Sequence, residues 1–377
     1  MKKEVTEMSV KSNNLHAAGT SWKRFHLKKR ENIPRWQVWC IRIGAFVLAI
    51  LLGGLIFPIV GANPITAYAT MISGSLGKAS GLRQIVKTMV PLLGTAVALA
   101  PCFKMKYWNI GAEGQITMGA MAASFFALHF GGQWASGPLL IVMGIASIVF
   151  GALWGAIPAL FKSRFGTNET LFTLMMNYIA IGIVAWLQGG PWEGKPGSQI
   201  IPNFDKSAVL PKVFGVHCGW IIALLLAVAM FIYMKYTKQG YEVAVMGDSE
   251  NTARYAGMNV ARVMIRTAAI SGGICGLMGF LVCSGADQTL YSTVAGGVGF
   301  TAITVAWLAQ LNPFAMIAIA ALISVLEKGA SVLQTSLAIP SSISDIITGI
   351  ILLAMLACEF FVNYSIVIDS HHEKEAK

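Results

Sequence analysis

Charge is what this sequence is short of. Asp, Glu, Lys and Arg make up 12% of its 377 residues, about half the roughly 25% of a soluble globular chain. A water-soluble domain with a solvated charged shell is therefore excluded. Acids are the scarcer sign, 17 against 28 basic residues, which leaves a net charge of +11. That excess does not mark nucleic-acid binding, which needs basic residues gathered on one folded face; here they stand at the ends of apolar runs. Cysteine is sparse too. Cys40, Cys102, Cys218, Cys275, Cys283 and Cys358 have neither CxxC spacing nor a neighbouring His cluster. They read as small buried hydrophobes, not as disulfides or zinc ligands. Nothing in the sequence calls for a metal or a cofactor.

The contexts that give nucleotide motifs their meaning are missing as well. "GGPWEGKP" from Gly189 fills the first seven positions of a P-loop, but Pro196 stands where the magnesium-holding Ser or Thr belongs. "GVGFTA" from Gly297 imitates a dinucleotide fingerprint with no βαβ unit around it. "GAEGQ" echoes an ATPase signature loop, again without phosphate-binding machinery. The chain is expected to hydrolyse no ATP and to carry no catalytic residue.

What is abundant is apolar length. Hydrophobic residues reach 55%, and about ten runs approach the roughly 20 residues that a helix needs to cross a bilayer core. They are Ile43 to Val60, Thr88 to Phe103, Ile110 to Phe130, Pro138 to Phe161, Leu171 to Leu187, Cys218 to Tyr236, Val263 to Cys283, Gly297 to Gln310, Pro313 to Leu333 and Ser341 to Tyr364. The third and eighth are weak. An all-α polytopic membrane protein follows, with a basic leader (1–38), a membrane domain (39–364) and a short tail (365–377).

Basic residues also orient it, because short cytoplasmic loops collect Lys and Arg. The leader holds Lys2, Lys3, Lys11, Lys23, Arg24, Lys28, Lys29, Arg30 and Arg35, which keeps the N-terminus inside. Alternation then places Lys104 with Lys106, Lys162 with Arg164, and Lys235 through Arg262 inside too, with both termini cytoplasmic. Lys195, Lys206 and Lys212 fall in a long Gly/Pro-rich loop (188–217) expected outside. The leader is too long and polar for a cleaved signal peptide.

Three stretches interrupt this pattern. In "KYWNIGAEGQITMG", Lys106 to Gly119, Glu113 is an acid inside an apolar span, which makes it a functional-site candidate by default. As a helix the stretch would align Asn109, Glu113 and Thr117 in one stripe and turn Gln115 elsewhere, while Gly111, Gly114 and Gly119 allow close approach or a break. The bland alternative is that Glu113 snorkels to the headgroups beside Lys104 and Lys106. "VAGGVGFTAITVAW", Val294 to Trp307, is a second Gly-interrupted helix start, following the seventh span as the first follows the second. Matching interruptions in two halves point to a midplane transport site and to spans two to five repeating, inverted, as seven to ten. There Phe300, Thr304 and Trp307 share a helical face, and Trp108 adds an aromatic plane. The third stretch is "YEVAVMGDSENTARYAGMNVARV", Tyr241 to Val263. Asp248 or Ser249 suits an N-cap, Glu250 the first turn, Arg254 the last and Gly257 the C′ position. That spells a two-turn helix, too short to be stable alone, within a cytoplasmic loop (237–262).

"NIGAEGQ" at Asn109 to Gln115, "GDSENTARYAGMN" at Gly247 to Asn259 and "GGVGFTAITVAWLAQLNP" at Gly296 to Pro313 resemble the hallmark regions of permease subunits of nucleoside and simple-sugar ABC importers, within the ribose and branched-chain amino acid permease superfamily. The resemblance runs from about Trp39 to Tyr364, and departs where Leu308 and Ala309 stand for a frequent Leu-Gly. It implies a solute pathway at Trp108, Asn109, Gly111, Glu113, Gly114, Gln115, Gly299, Phe300, Thr304 and Trp307. It implies a helix coupling to a separate cytoplasmic ATPase at Gly247, Asp248, Ser249, Glu250, Asn251, Arg254, Tyr255 and Gly257. It also implies a second, related permease forming a heterodimer and an extracytoplasmic substrate-binding lipoprotein. Nucleosides are the expected solute and simple sugars the alternative. An ion-coupled transporter would have to use Glu113, Glu327 with Lys328, or Asp345; a membrane-embedded transferase would have only His371 and His372, in a charged tail.

Overall fold

A computed structural model of the chain describes residues 25–29 and 34–368. The rest of the leader and tail, His371 and His372 included, lies outside them. The structure is helical almost throughout. Its helices are α1 (Arg35–Gly54), α2 (Pro64–Leu76), α3 (Ala79–Lys104), α4 (Ala112–Phe130), α5 (Ser136–Phe165), α6 (Glu169–Gln188), α7 (Gly219–Tyr236), α8 (Lys238–Asp248), α9 (Glu250–Tyr255), α10 (Val260–Phe280), α11 (Val298–Leu308), α12 (Pro313–Leu337) and α13 (Ser341–Asn363). Each expected apolar run overlaps one of them. Among the described residues six are long and apolar enough to cross a membrane, or up to seven if a bent pair is counted as one span, so length and composition do not confirm the expected count of about ten.

The chain divides into a small unit of its two ends and a large unit, Leu48–Leu356. In the small unit β1 (Phe25–Lys29) pairs antiparallel with β4 (Tyr364–Ile368), Phe25 opposite Ile368. Neither strand was expected. The large unit holds α2 to α12 entire, parts of α1 and α13, and a two-strand hairpin, β2 (Lys212–Val213) with β3 (Val216–His217).

The first run does not continue straight to Val60. A single 3-10 turn, Phe57–Val60, follows α1; Gly61 adopts φ 77°, and Asn63 accepts a hydrogen bond from the Ile65 amide as the N-cap of α2. With Pro64 in the first turn, the chain turns through 111° into α2, a helix that apolar run length alone does not announce.

Two helices form the centre. The most apolar stretches of α3 and α10 are each 78% buried, against 22% for α5 and α7. Helix α3 packs on α11 and α12, and α10 on α4 and α5. The first helix of each four-helix set thus lies on the second and third of the other, the reciprocal packing expected of two like halves. The α10/α5 crossing is built from small residues. A Cβ added at Gly272 would land on the Gly151 carbonyl and one at Gly276 on the Ser147 carbonyl, so the backbones touch as in other small-residue crossings of membrane helices.

Candidate translocation site and coupling surface

The opening of α4 is held by amides from three elements. Helical geometry starts only at Ala112, so Asn109 is not on the helix and the stripe expected for Asn109, Glu113 and Thr117 does not form. Asn109 instead closes a turn. Its Oδ1 accepts from the Gly111 amide at 3.0 Å and from Gln115 Nε2 at 3.1 Å, while its Nδ2 donates to Gln115 Oε1 and Ser271 Oγ, both at 3.3 Å. Gln115 therefore faces Asn109 rather than pointing elsewhere. From α6, Asn177 accepts from the Gly114 amide at 2.8 Å and donates to the Ile110 carbonyl at 2.9 Å, and Thr173 accepts from the Ile110 amide at 3.2 Å. These bonds satisfy amides that a helix start leaves without partners.

Glu113 does not reach for headgroups. It is 6% exposed, and its two carboxylate oxygens accept from the amides of Gly297 at 2.7 Å and Gly299 at 2.8 Å. The acid in the first turn of α4 is thus the anion at the N-terminus of α11, the end where a helix dipole and free N–H groups favour negative charge. The two interrupted helices meet through this one side chain. A Cβ at Gly299 would collide with the Glu113 backbone, so the pairing requires glycine there.

Alongside lies an aromatic stack. Trp108 and Trp307 have ring centroids 5.5 Å apart at 21°, and Phe103, whose part the sequence did not signal, lies 5.7 Å from Trp307. Trp108 and Trp307 keep partly exposed faces, as does Phe300, which has no ring contact with the pair. Thr304 is half-buried. Asn177, Thr173 and Ser271 also escaped the sequence reading. A lone amide in the apolar string "LMMNYIA" was the signal for Asn177; Thr173 and Ser271 gave none.

The expected two-turn helix is α9. Ser249, not Asp248, caps it by accepting from the Thr252 amide at 3.2 Å; Glu250 pairs with Arg254 at 2.7 Å; Gly257 has φ 75°. Ala253 is fully buried among Met105, Tyr107, Val243 and Met246, whereas Asn251, Arg254 and Tyr255 are exposed, Tyr255 at 93%. Gly247 lies in the last turn of the unexpected α8, where a Cβ would land on the Lys104 carbonyl; Asp248, the last residue of α8, is exposed. Between α9 and the end of α5 opens a cavity of about 560 Å³ lined by Lys162, Gly166, Glu250, Arg254 and Met264.

Residues 81–356 match the family described as "Branched-chain amino acid transport system / permease component". The chain belongs to this permease family. It is 28% identical over 356 residues to the glucose ABC transporter permease protein TsgB13 of Haloferax volcanii, covering 91% of this chain and 93% of that one. It is 30% identical over 319 residues to the guanosine ABC transporter permease protein NupP of Bacillus subtilis, covering 82% and 90%. A second guanosine ABC transporter permease protein of that organism, NupQ, is 27% identical over 234 residues, covering 59% and 73%. The chain is accordingly a non-catalytic, multi-pass subunit of an ABC importer in the cell membrane, and membership implies an ATPase and a substrate-binding protein as partners.

Proposed function

We propose that this permease forms the pathway for nucleosides, with the paired breaks at Asn109–Gln115 and Gly297–Gly299 beside the route and the Trp108 and Trp307 faces toward it. The carrying observation is Glu113, which ties the start of α11 to the start of α4. A solute passing between the two halves must move past or part this joint. Exposed indole faces suit the aromatic ring of a nucleobase, and the similarity to NupP supports the same solute class. Simple sugars are the second reading, favoured by the similarity to TsgB13 over nearly the whole chain.

The proposal extends to assembly. Helix α9 offers Asn251, Arg254 and Tyr255 to a cytoplasmic ATPase, with both termini on that side. A second, related permease completes a heterodimer, supported by the likeness to two guanosine permeases of one organism. The loop 188–217 faces the binding lipoprotein.

Uptake of labelled guanosine, adenosine, cytidine, ribose and galactose by cells with and without this gene is the test. Loss of nucleoside uptake, repeated by Glu113→Ala in assembled complexes, is expected. Loss of sugar uptake alone would assign the pathway to sugars.

A further inference from the structure

Away from the paired breaks and from α9, the hairpin β2/β3 builds a second polar pocket. Its turn, Phe214 with φ 56° and Gly215 with φ 83°, has positive φ at both central residues, the two-residue geometry that suits a twisted hairpin. The register sets Lys212 directly opposite His217. Arg83, from the polar first turns of α3, lies across the turn, where a Cβ at Gly215 would come within 2.6 Å of its Nε. Lys87 follows one turn later on α3. These four side chains line one cavity of about 250 Å³ together with Gln84 and Gln288.

The floor of the cavity is His217. It is 3% exposed, yet neither ring nitrogen has a hydrogen-bond partner. Its imidazole sits between Gly219 and Gly285, where an added Cβ would lie 2.6 and 2.7 Å from ring atoms. A buried imidazole without partners is costly, and the protein keeps it at the bottom of a cationic pocket. The wall opposite is the π-type turn Leu281–Asp287 that ends α10, a helix irregularity often found at functional sites.

Charge identifies the missing partner. Arg83, Lys87 and Lys212 contribute +3, and Asp287, which sits 3.7 Å from Lys87 and accepts the Tyr291 hydroxyl at 2.8 Å, contributes −1. The balance is 3 − 1 = +2. A monoester phosphate group carries about −1.5 to −2 at neutral pH with three acceptor oxygens. One such group would balance the pocket and take up an imidazole N–H, whereas a single carboxylate would leave it half-neutralised.

We infer that the pocket between the start of α3, the β2/β3 hairpin and the end of α10 binds a phosphate-type oxyanion, with His217, Arg83 and Lys212 as its donors. Free phosphate and the phosphate of an anionic lipid headgroup share this chemistry. Nucleosides and simple sugars carry no such charge, so the site is separate from solute translocation.

The test uses the assembled transporter in nanodiscs, monitored by its thermal midpoint at constant ionic strength. In phosphatidylcholine discs, inorganic phosphate replacing chloride should raise the midpoint saturably by about 2–4 °C. Arg83→Gln with Lys212→Gln should raise the half-maximal phosphate concentration by about tenfold or more, the scale of losing charged hydrogen bonds. His217→Ala should weaken binding, and His217→Gln, which restores a donor, should recover part of it. Lys206→Gln, in the same loop but outside the pocket, should change nothing. If discs containing phosphatidylglycerol show the higher midpoint without phosphate, and Arg83→Gln removes it, the group comes from lipid. A midpoint unmoved by phosphate and by phosphatidylglycerol alike, or moved equally in the Arg83/Lys212 double variant, would overturn the site.

Discussion

Glu113 is buried in an apolar domain, and only its hydrogen bonds make that position tolerable. Removing the carboxylate strands the amides of Gly297 and Gly299, each at about 1–3 kcal/mol for a buried unsatisfied donor. Glu113→Ala is therefore expected to lower the thermal midpoint of the purified transporter and to abolish uptake. Glu113→Gln, with one acceptor oxygen and an NH₂ facing the second amide, should be intermediate in stability. An Ala variant as stable as wild type would mean that the joint holds nothing. His217 supplies a pH-dependent counterpart in the hairpin before α7. Burial, with Lys87 nearby, lowers its pKa from 6.5 to about 4, so between those values the unfolded chain binds the proton more readily. Stability is thus expected to fall as pH drops from 7 toward 4, with a smaller fall in His217→Gln. Equal acid sensitivity in both would show that other groups carry it.

Elements differ in how far their own sequence announces them. Helix α9 was legible because its signals are local: a Ser cap, an acid first, a base last and a Gly after. Its buried anchor, Ala253, carries no signature, since burial there depends on Met105 and Tyr107 from another part of the chain. The break before α4 was visible as glycines around an acid, but its geometry was not. Asn177 and Thr173 cap it from more than 60 positions away, and Glu113 finds its amides 184 residues downstream. Gly257 lends itself to a test at this scale. Valine at φ 75° is strained by about 1–3 kcal/mol, which should distort the end of α9 with little effect on the membrane helices. ATP hydrolysis stimulated by the solute-loaded binding protein is expected to fall severalfold in Gly257→Val, with solute binding by that protein unchanged. Stimulation at the wild-type level would remove α9 from the coupling path.

For the whole molecule, the decisive quantity is which loops share a side. The composition fixed a membrane class at once, because 12% charge cannot cover a soluble surface of this size. Span counting was weaker, since α11 has 11 residues and the first run bends into α2: a helix completed by a loop, or turned by a cap, does not register as 20 apolar residues. The β1/β4 pairing within the small unit brings a leader strand beside the strand that follows α13. The charge alternation leads to the expectation that both termini and the loop 237–262 are cytoplasmic. Single cysteines at Ser198 and Asn251, both exposed, separate the possibilities. Of the six native cysteines only Cys40 and Cys218 are not buried, so replacing those two by serine should give a background nearly silent to an impermeant maleimide. In intact cells Ser198→Cys is expected to label, and Asn251→Cys only after permeabilisation. Labelling of Asn251→Cys from outside would invert the orientation and take α9 away from any cytoplasmic ATPase; labelling of both from outside would break the alternation between α6 and α8, leaving α7 as a helix that does not cross.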